Sequence, residues 1–286
     1  MPFPEFNDVK GYLSDTEIIQ YENLLEKIFL LHKEGAITQI AELIKMYVEH
    51  FANIVIISEW SEYGKIVLNS INNNPTSGGG GQDSPLGELN LYAKYSNALE
   101  MLRMIKPLTI VDIAGNSGII DIYLKDEVKY SVVIDSDSNA LNDLWEYTKE
   151  NRITIVPVYM NILTPNVGRG SDGFVDSDGI KAFKARAIDR FKCECAVALG
   201  IIHHLCYKSA LQFEAAIRLF SWYTNKYLLI EFVDRQDPAV CCWNQQGMDF
   251  YTKSNFEQKL NKVCKIIQTA SAANIYRTLY LCELKH

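Results

Sequence analysis

The chain has 286 residues and a formal net charge of -7 at pH 7, with 48% hydrophobic residues, enough for a substantial core and against general disorder. The acidic balance speaks against nucleic acid as a partner, because phosphate binding needs clustered Lys and Arg. The densest basic stretch, residues 181–190, is short, interrupted by apolar residues, and reads as a solvated helix face.

The length suits one large domain, or one domain with a helical extension. No apolar run is long enough to span a membrane, and the opening MPFPEFNDVK has neither a basic start nor an apolar core. A cytoplasmic protein with no membrane partner is expected. The seven cysteines are an odd number, and neither Cys193/Cys195 nor Cys241/Cys242 has C-x-x-C spacing. Buried, reduced thiols and no metal site are the expectation.

Residues 1–71 read as a helical cap. Ser14 and Glu17 form a capping box, followed by Ile18, Ile19, Tyr21, Leu24, Leu25, Ile28 and Phe29 at helical spacing. A second helix is expected from Thr38 to Ala52. Residues 72–90 open with a turn-rich Asn/Gly run and read as a flexible linker. From residue 91 to 286 short apolar strands alternate with helical stretches, the signature of an α/β domain with crossover helices. Strands are expected at 109–113, 130–134, 153–158, 195–199 and 227–232, with a closing antiparallel hairpin at 263–268 and 276–282. Trp60, Trp145, Trp222 and Trp243 are expected to pack in the core or cap.

The strongest chemical signal is Thr-Ile-Val-Asp-Ile-Ala-Gly-Asn-Ser-Gly over 109–118. An apolar strand ends in an acid, and a turn of small residues opens a helix. Small residues let the backbone approach a ligand, and a helix start offers free N–H donors. The G-x-G-x-x-G of nicotinamide-binding proteins is absent, which counts against the rival reading of a nicotinamide-dependent oxidoreductase. Asp135 ends the next strand, 23 residues after Asp112, at the spacing of a βαβ unit. Its carboxylate suits a pair of ribose hydroxyls; the plainer alternative is a helix N-cap provided by Asp135 or Asp137.

Residues 112–118, Asp-Ile-Ala-Gly-Asn-Ser-Gly, resemble the first motif of the class I S-adenosylmethionine (SAM)-dependent methyltransferases, often D-I-G-x-N-T-G. The resemblance covers roughly residues 90–284 and leaves the helical front unaccounted for. It implies a Rossmann-like, seven-stranded, mostly parallel sheet, with SAM across the C-terminal ends of the first two strands. The residue matching Asp112 lies near the amino-acid part of SAM, and those matching Ala114, Gly115, Asn116 and Gly118 line its methionine and ribose. Ala114 stands where the family prefers Gly, and keeps a close approach if its φ is negative. Asn161, past the third strand, is expected to read the adenine amino group with Met160 on the ring, or else to be an ordinary loop Asn. Gly200, where the fourth strand runs out, completes the expected cofactor contacts.

His203 and His204 follow at the C-terminal edge of the sheet, and many small-molecule methyltransferases carry a similar His-His-Leu. A neutral imidazole there can take the proton of an attacking hydroxyl, a role worth ~10²–10⁴-fold; the alternative is a structural His that caps the next helix. Glu231 ends the fifth strand with Asp234 nearby, either facing the substrate or pairing with a basic residue. Tyr92 and Tyr95 either face a sulfonium or pack in the core. Asp237-Pro238, Phe256 and the run from Arg277 to Tyr280 resemble, more weakly, a nodulation- and natural-product-associated subgroup. No Asp/Asn-Pro-Pro-Tyr/Phe follows the fourth strand, which lowers the odds of a DNA or glutamine substrate. The expected protein is a small-molecule methyltransferase, monomeric or a homodimer, with a degenerate SAM-binding partner protein as the non-enzymatic alternative.

Overall fold

The computed structural model describes residues 91–165 and 186–285, together with two helical positions, Lys27 and Gln39. The chain divides into two compact units, Met1–Glu59 and Trp60–His286, and the described fold belongs to the second. Apart from those two positions, the expected helical cap, its capping box, the linker over 72–90 and the side chain of Tyr92 lie outside the described residues.

Helix α1 (Leu91–Ile105) buries Tyr95, Ala98, Leu99, Met101 and Leu102, which recur at helical spacing. The alternation then runs β1 (Thr109–Ile113), α2 (Ile119–Leu124), β2 (Tyr130–Asp135), α3 (Ser138–Asn151) and β3 (Ile155–Tyr159). After it come α4 (Ala187–Arg190), β4 (Cys193–Ala198), α5 (Ile202–Ser209), α6 (Phe213–Ser221) and β5 (Thr224–Val233). Helix α7 (Lys253–Val263) leads directly into β6 (Cys264–Ser271), and β7 (Arg277–Leu284) closes the sheet.

The strands form one seven-stranded sheet in the order β3-β2-β1-β4-β5-β7-β6. Strands β1 to β5 pair in parallel, and β7 runs antiparallel between β5 and β6, as the expected closing hairpin. The parallel strands read as near-continuous apolar runs because helices cover both faces. Ile110, Cys195, Val197, Leu229 and Leu281 point to the face covered by α1 and α2. Val111, Ala196, Ala198, Leu228, Ile230 and Cys282 point to the face covered by α5, α6 and α7. β5 is longer than its apolar stretch suggests: Thr224 belongs to it because it pairs with Cys193 and its hydroxyl donates to the Glu194 carbonyl at 2.8 Å.

Two expectations about burial need correction. Cys193, Cys195, Cys206, Cys264 and Cys282 are buried, but Cys241 and Cys242 are exposed, on an irregular turn segment between β5 and α7. Trp145 and Trp222 are half exposed rather than core. Trp145 sits on the outer side of α3 with Lys149 over its ring, and Trp222 at the C-terminal cap of α6.

Candidate functional site

The strand order reverses at β1, whose neighbours β2 and β4 lead away in opposite directions. In open α/β sheets, ligands bind in the crevice outside the C-terminal strand ends at such a switch point. The motif over 109–118 lies there. Ala114 and Gly115 donate their N–H groups to the Ile134 carbonyl at 2.8 and 3.3 Å, so the turn folds over the end of β2. Three of its residues take left-handed backbone: Ala114 (φ 59), Asn116 (φ 48) and Gly118 (φ 64). The condition of a negative φ at Ala114 is therefore not met, and the position is one that favours glycine. An alanine there carries strain of order 1–2 kcal/mol.

Gly115 is required by proximity. A Cβ on it would lie 2.6 Å from Asp112 Oδ2 and 2.9 Å from Val133 Cγ1. Gly118 opens α2, which has only six residues. The expected supply of free helix-start donors is smaller than the motif suggests, since the Asn116 and Gly118 N–H groups are already used within the protein.

The Asn116 N–H donates to Asp135 Oδ2 at 2.8 Å, which ties the turn after β1 to the end of β2. The Asp137 N–H donates to the other oxygen of Asp135, also at 2.8 Å. The N-cap of α3 is Asp137, whose carboxylate accepts from the Asn139 and Ala140 N–H groups at 3.0 and 3.1 Å. Asp135 is thereby freed from capping. The Ser136 N–H also acts on this carboxylate, so only part of its acceptor capacity of about four positions is left for a ligand. Burial raises its pKa, and the backbone N–H bonds oppose that rise. Asn161 is exposed, and its side-chain oxygen accepts from the Leu163 N–H at 2.9 Å in a tight local turn.

Asp112 is buried on β1, and burial raises its pKa well above the usual carboxylate range, with Asp121 adding to the rise. Asp121, on α2, was not legible as a site residue. It is fully buried, and burial pushes its carboxyl up to about 6. It lies within reach of Asp112 and of the Ser131 hydroxyl. Neither Asp121 oxygen, nor Ser131 Oγ, makes a well-formed hydrogen bond. Its signal in the sequence is an acid inside the apolar run Ile119-Ile-Asp-Ile-Tyr-Leu124.

Beyond β4 and β5 lies a buried cluster of charges. Gly200 has φ 71, and a Cβ on it would sit 3.5 Å from Lys94 Nζ. Lys94, a second residue that sequence reasoning missed, is 2.9 Å from Glu231 Oε2, and both side chains are almost fully buried. The contact is close, although its angles fall short of a hydrogen bond. A lysine on the apolar face of α1, four residues before Ala98, was the available sign. Arg277 lies 3.7 Å from Glu231 Oε1 and holds Asp237 through two bonds of 2.8 and 2.9 Å. Burial alone would raise the Asp237 pKa; the Arg277 guanidinium outweighs it and holds the carboxyl low. Asp234 accepts from the Gln236 N–H in a turn.

His203 is buried at the start of α5, and its Nδ1 has no hydrogen-bond partner. Burial lowers its pKa well below the usual imidazole value, and His204, Arg277, Lys94 and Lys208 add to the effect. His203 is thus a neutral base at neutral pH. His204 is half-buried, with its ring 4.3 Å from that of His203. Trp243 packs 5.5 Å from His203 and 5.1 Å from His204. Tyr95 belongs to the α1 core. Among the described residues no His/Cys/Asp/Glu group is placed to hold a metal, and no described helix is long and apolar enough to cross a membrane. An open groove of about 620 Å³ lies at the other end of the sheet, lined by Thr109, Tyr130, Cys193 and Lys226, and shares no residue with this site.

The fold defined by these elements is that of the class I SAM-dependent methyltransferases. Magnesium protoporphyrin IX methyltransferase from Synechocystis PCC 6803, solved with bound SAM, is similar at a TM-score of 0.51 and 10% identity, over 79% of this chain and 93% of that one. The same enzyme with S-adenosylhomocysteine (SAH) gives a TM-score of 0.52 and 11% identity, over 79% and 96%. The N-methyltransferase NodS from Bradyrhizobium japonicum WM9, with SAH, gives 0.49 and 12%, over 77% and 100%. No family model and no curated protein sequence matches the chain.

Proposed function

We propose that this chain is a SAM-dependent methyltransferase acting on a small-molecule acceptor through a hydroxyl. The observation that carries the reading is the junction of Asn116 and Asp135. The turn after β1 is fastened to an acid at the end of β2 that keeps some acceptor capacity for a ribose hydroxyl. The close fit of Gly115 against Asp112 favours a ligand whose cationic amino-acid end meets a buried carboxylate. Asp112, Ala114, Gly115, Asn116, Gly118, Asp135 and Gly200 would hold the cofactor. Asn161 contributes to the adenine end only if its oxygen accepts a second bond beside that from Leu163. The cofactor, when bound, supplies an electrophilic methyl group on a sulfonium.

His203 is the better candidate for the base. It is neutral, buried and has an open nitrogen, whereas His204 lies further toward the surface. His203 would take the proton of the acceptor hydroxyl, and holding that hydroxyl aligned with the methyl group the cofactor would supply can contribute up to ~7–11 kcal/mol. Glu231 and Lys94 set the charge beside this position and do not take the proton in this reading.

The strained Ala114 favours one other reading, a SAM-binding protein that has lost catalysis and serves in a complex. Calorimetric titration with SAH, with NAD as control, tests both. Micromolar binding of SAH alone, lost on Asp135→Ala, supports the cofactor; methyl transfer into extract components then separates enzyme from partner protein. Absence of SAH binding ends both readings. A soluble small-molecule enzyme of the cytoplasm, with a role in natural-product chemistry and no membrane or nucleic-acid partner, follows from this proposal.

A further inference from the structure

Asp121 has no part in the proposed cofactor contacts, yet it is a carboxylate at 0% exposure in an apolar helical turn. An isolated buried carboxylate is strongly disfavoured in its ionised form. Next to it stand the Asp112 carboxylate from β1 and the Ser131 hydroxyl from β2, and the Cys193 thiol on β4 feels its charge. Asp112 in turn faces Asp121, Asp135 on β2, Lys94 on α1 and the Cys195 thiol on β4. Burial holds both thiols protonated. Lys94 is already in contact with Glu231 at 2.9 Å. Two carboxylates side by side in such a place do not both ionise.

We propose that Asp112 and Asp121 share a single proton in the free protein and release it when the ammonium of the cofactor's amino-acid end binds at Asp112. The inference rests on the cofactor reading above and deepens it. No covalent bond changes: the positive charge of the ammonium replaces that of the proton, and one proton leaves to solvent per ligand bound. Asp121 acts through Asp112 and is a positioning residue. Affinity for an amino-acid-bearing nucleoside therefore rises with pH through the neutral range, by up to ~tenfold per pH unit. A nucleoside without the ammonium, 5′-methylthioadenosine, gains nothing from the release.

The test uses the full chain. SAH and 5′-methylthioadenosine are titrated calorimetrically near neutral pH, in buffers that differ in ionisation enthalpy, with the wild type and Asp121→Asn. Proton release approaching one per SAH is expected in the wild type, with none for 5′-methylthioadenosine and a smaller release in Asp121→Asn, where burial alone holds the proton on Asp112. In the ligand-free wild type, carbon-13 NMR should find the two carboxyls titrating in separate steps, both above the ordinary aspartate range. SAH binding without proton release, or both carboxyls titrating in the ordinary range, overturns the proposal and leaves the cofactor reading intact. If SAH does not bind at all, the cofactor reading and the proposed release fall together. The NMR titration, which needs neither ligand nor variant, still decides whether the proton is shared.

Discussion

Lys94 and Glu231 come together from α1 and β5, Nζ to Oε2 at 2.9 Å, with side-chain exposures of 3% and 0%. The pair stands against Gly200, whose left-handed backbone (φ 71) favours glycine. Removing one partner leaves a buried charge without its counterion, which destabilises by about 3–5 kcal/mol. Glu231→Gln should lose stability of that order in urea unfolding. The double variant Lys94→Met, Glu231→Gln should recover much of it, and a single-variant loss under about 1 kcal/mol would mean that water solvates the pair.

Ala114 occupies left-handed backbone at φ 59. Glycine removes the steric strain but raises the entropy of the unfolded chain, so Ala114→Gly should stabilise by a net of about 1 kcal/mol. Thermal unfolding should shift upward by roughly 2–4 °C for a domain of this size. SAH affinity should hold or improve. An unchanged or lowered melting temperature would mean that the turn relaxes to another conformation in solution.

His203 lacks a partner on Nδ1, and its pKa is held well below the imidazole value. A base that stays neutral keeps its function as pH falls through about 6.5. Methyl transfer into extract acceptors should therefore hold its rate across the range where an ordinary histidine would protonate. His203→Ala should lower turnover by about 10²–10⁴-fold with SAH affinity unchanged. If His204→Ala has that effect and His203→Ala does not, the assignment is reversed.

Asp121 supplies a separate signature in stability. Its folded-state pKa is raised from 3.8 to about 6, so its contribution is fully present below the ordinary value and is lost as pH climbs through that window. Asp121→Asn has no charge to bury. The melting temperature of the variant minus that of the wild type should grow as pH rises from about 4 to about 7. A difference that does not vary with pH would show that the group is solvated in the folded protein.

The sheet was legible because its strands are apolar runs closed by turns, and because an acid at the end of β1 and another at the end of β2 fall at βαβ spacing. The division of labour between Asp135 and Asp137 was not legible, since either carboxylate could cap α3. Geometry decides it, because Asp137 reaches the Asn139 and Ala140 N–H groups while Asp135 binds the turn of the preceding strand. Lys94 and Asp121 escaped notice for a common reason. Each is a charged residue on a face otherwise apolar, and its meaning depends on partners on other elements. Asp237 and Arg277 were visible as motif residues, but their contact across 40 positions follows only from the pairing of β5 with β7.

The sheet order carries a consequence for how the molecule comes into being. β1 uses one edge to bind β2 and the other to bind β4, yet about eighty residues of chain separate the end of β1 from the start of β4. During synthesis, β1, β2 and β3 emerge first, and β1 waits with a bare row of amides and carbonyls and an apolar surface on each face. Such an edge is a template for pairing with another chain, and long-range parallel pairing is slow to form. Chains that end before Cys193 should collect in aggregates, whereas the first chains to remain soluble should be those long enough to deliver β4 and β5.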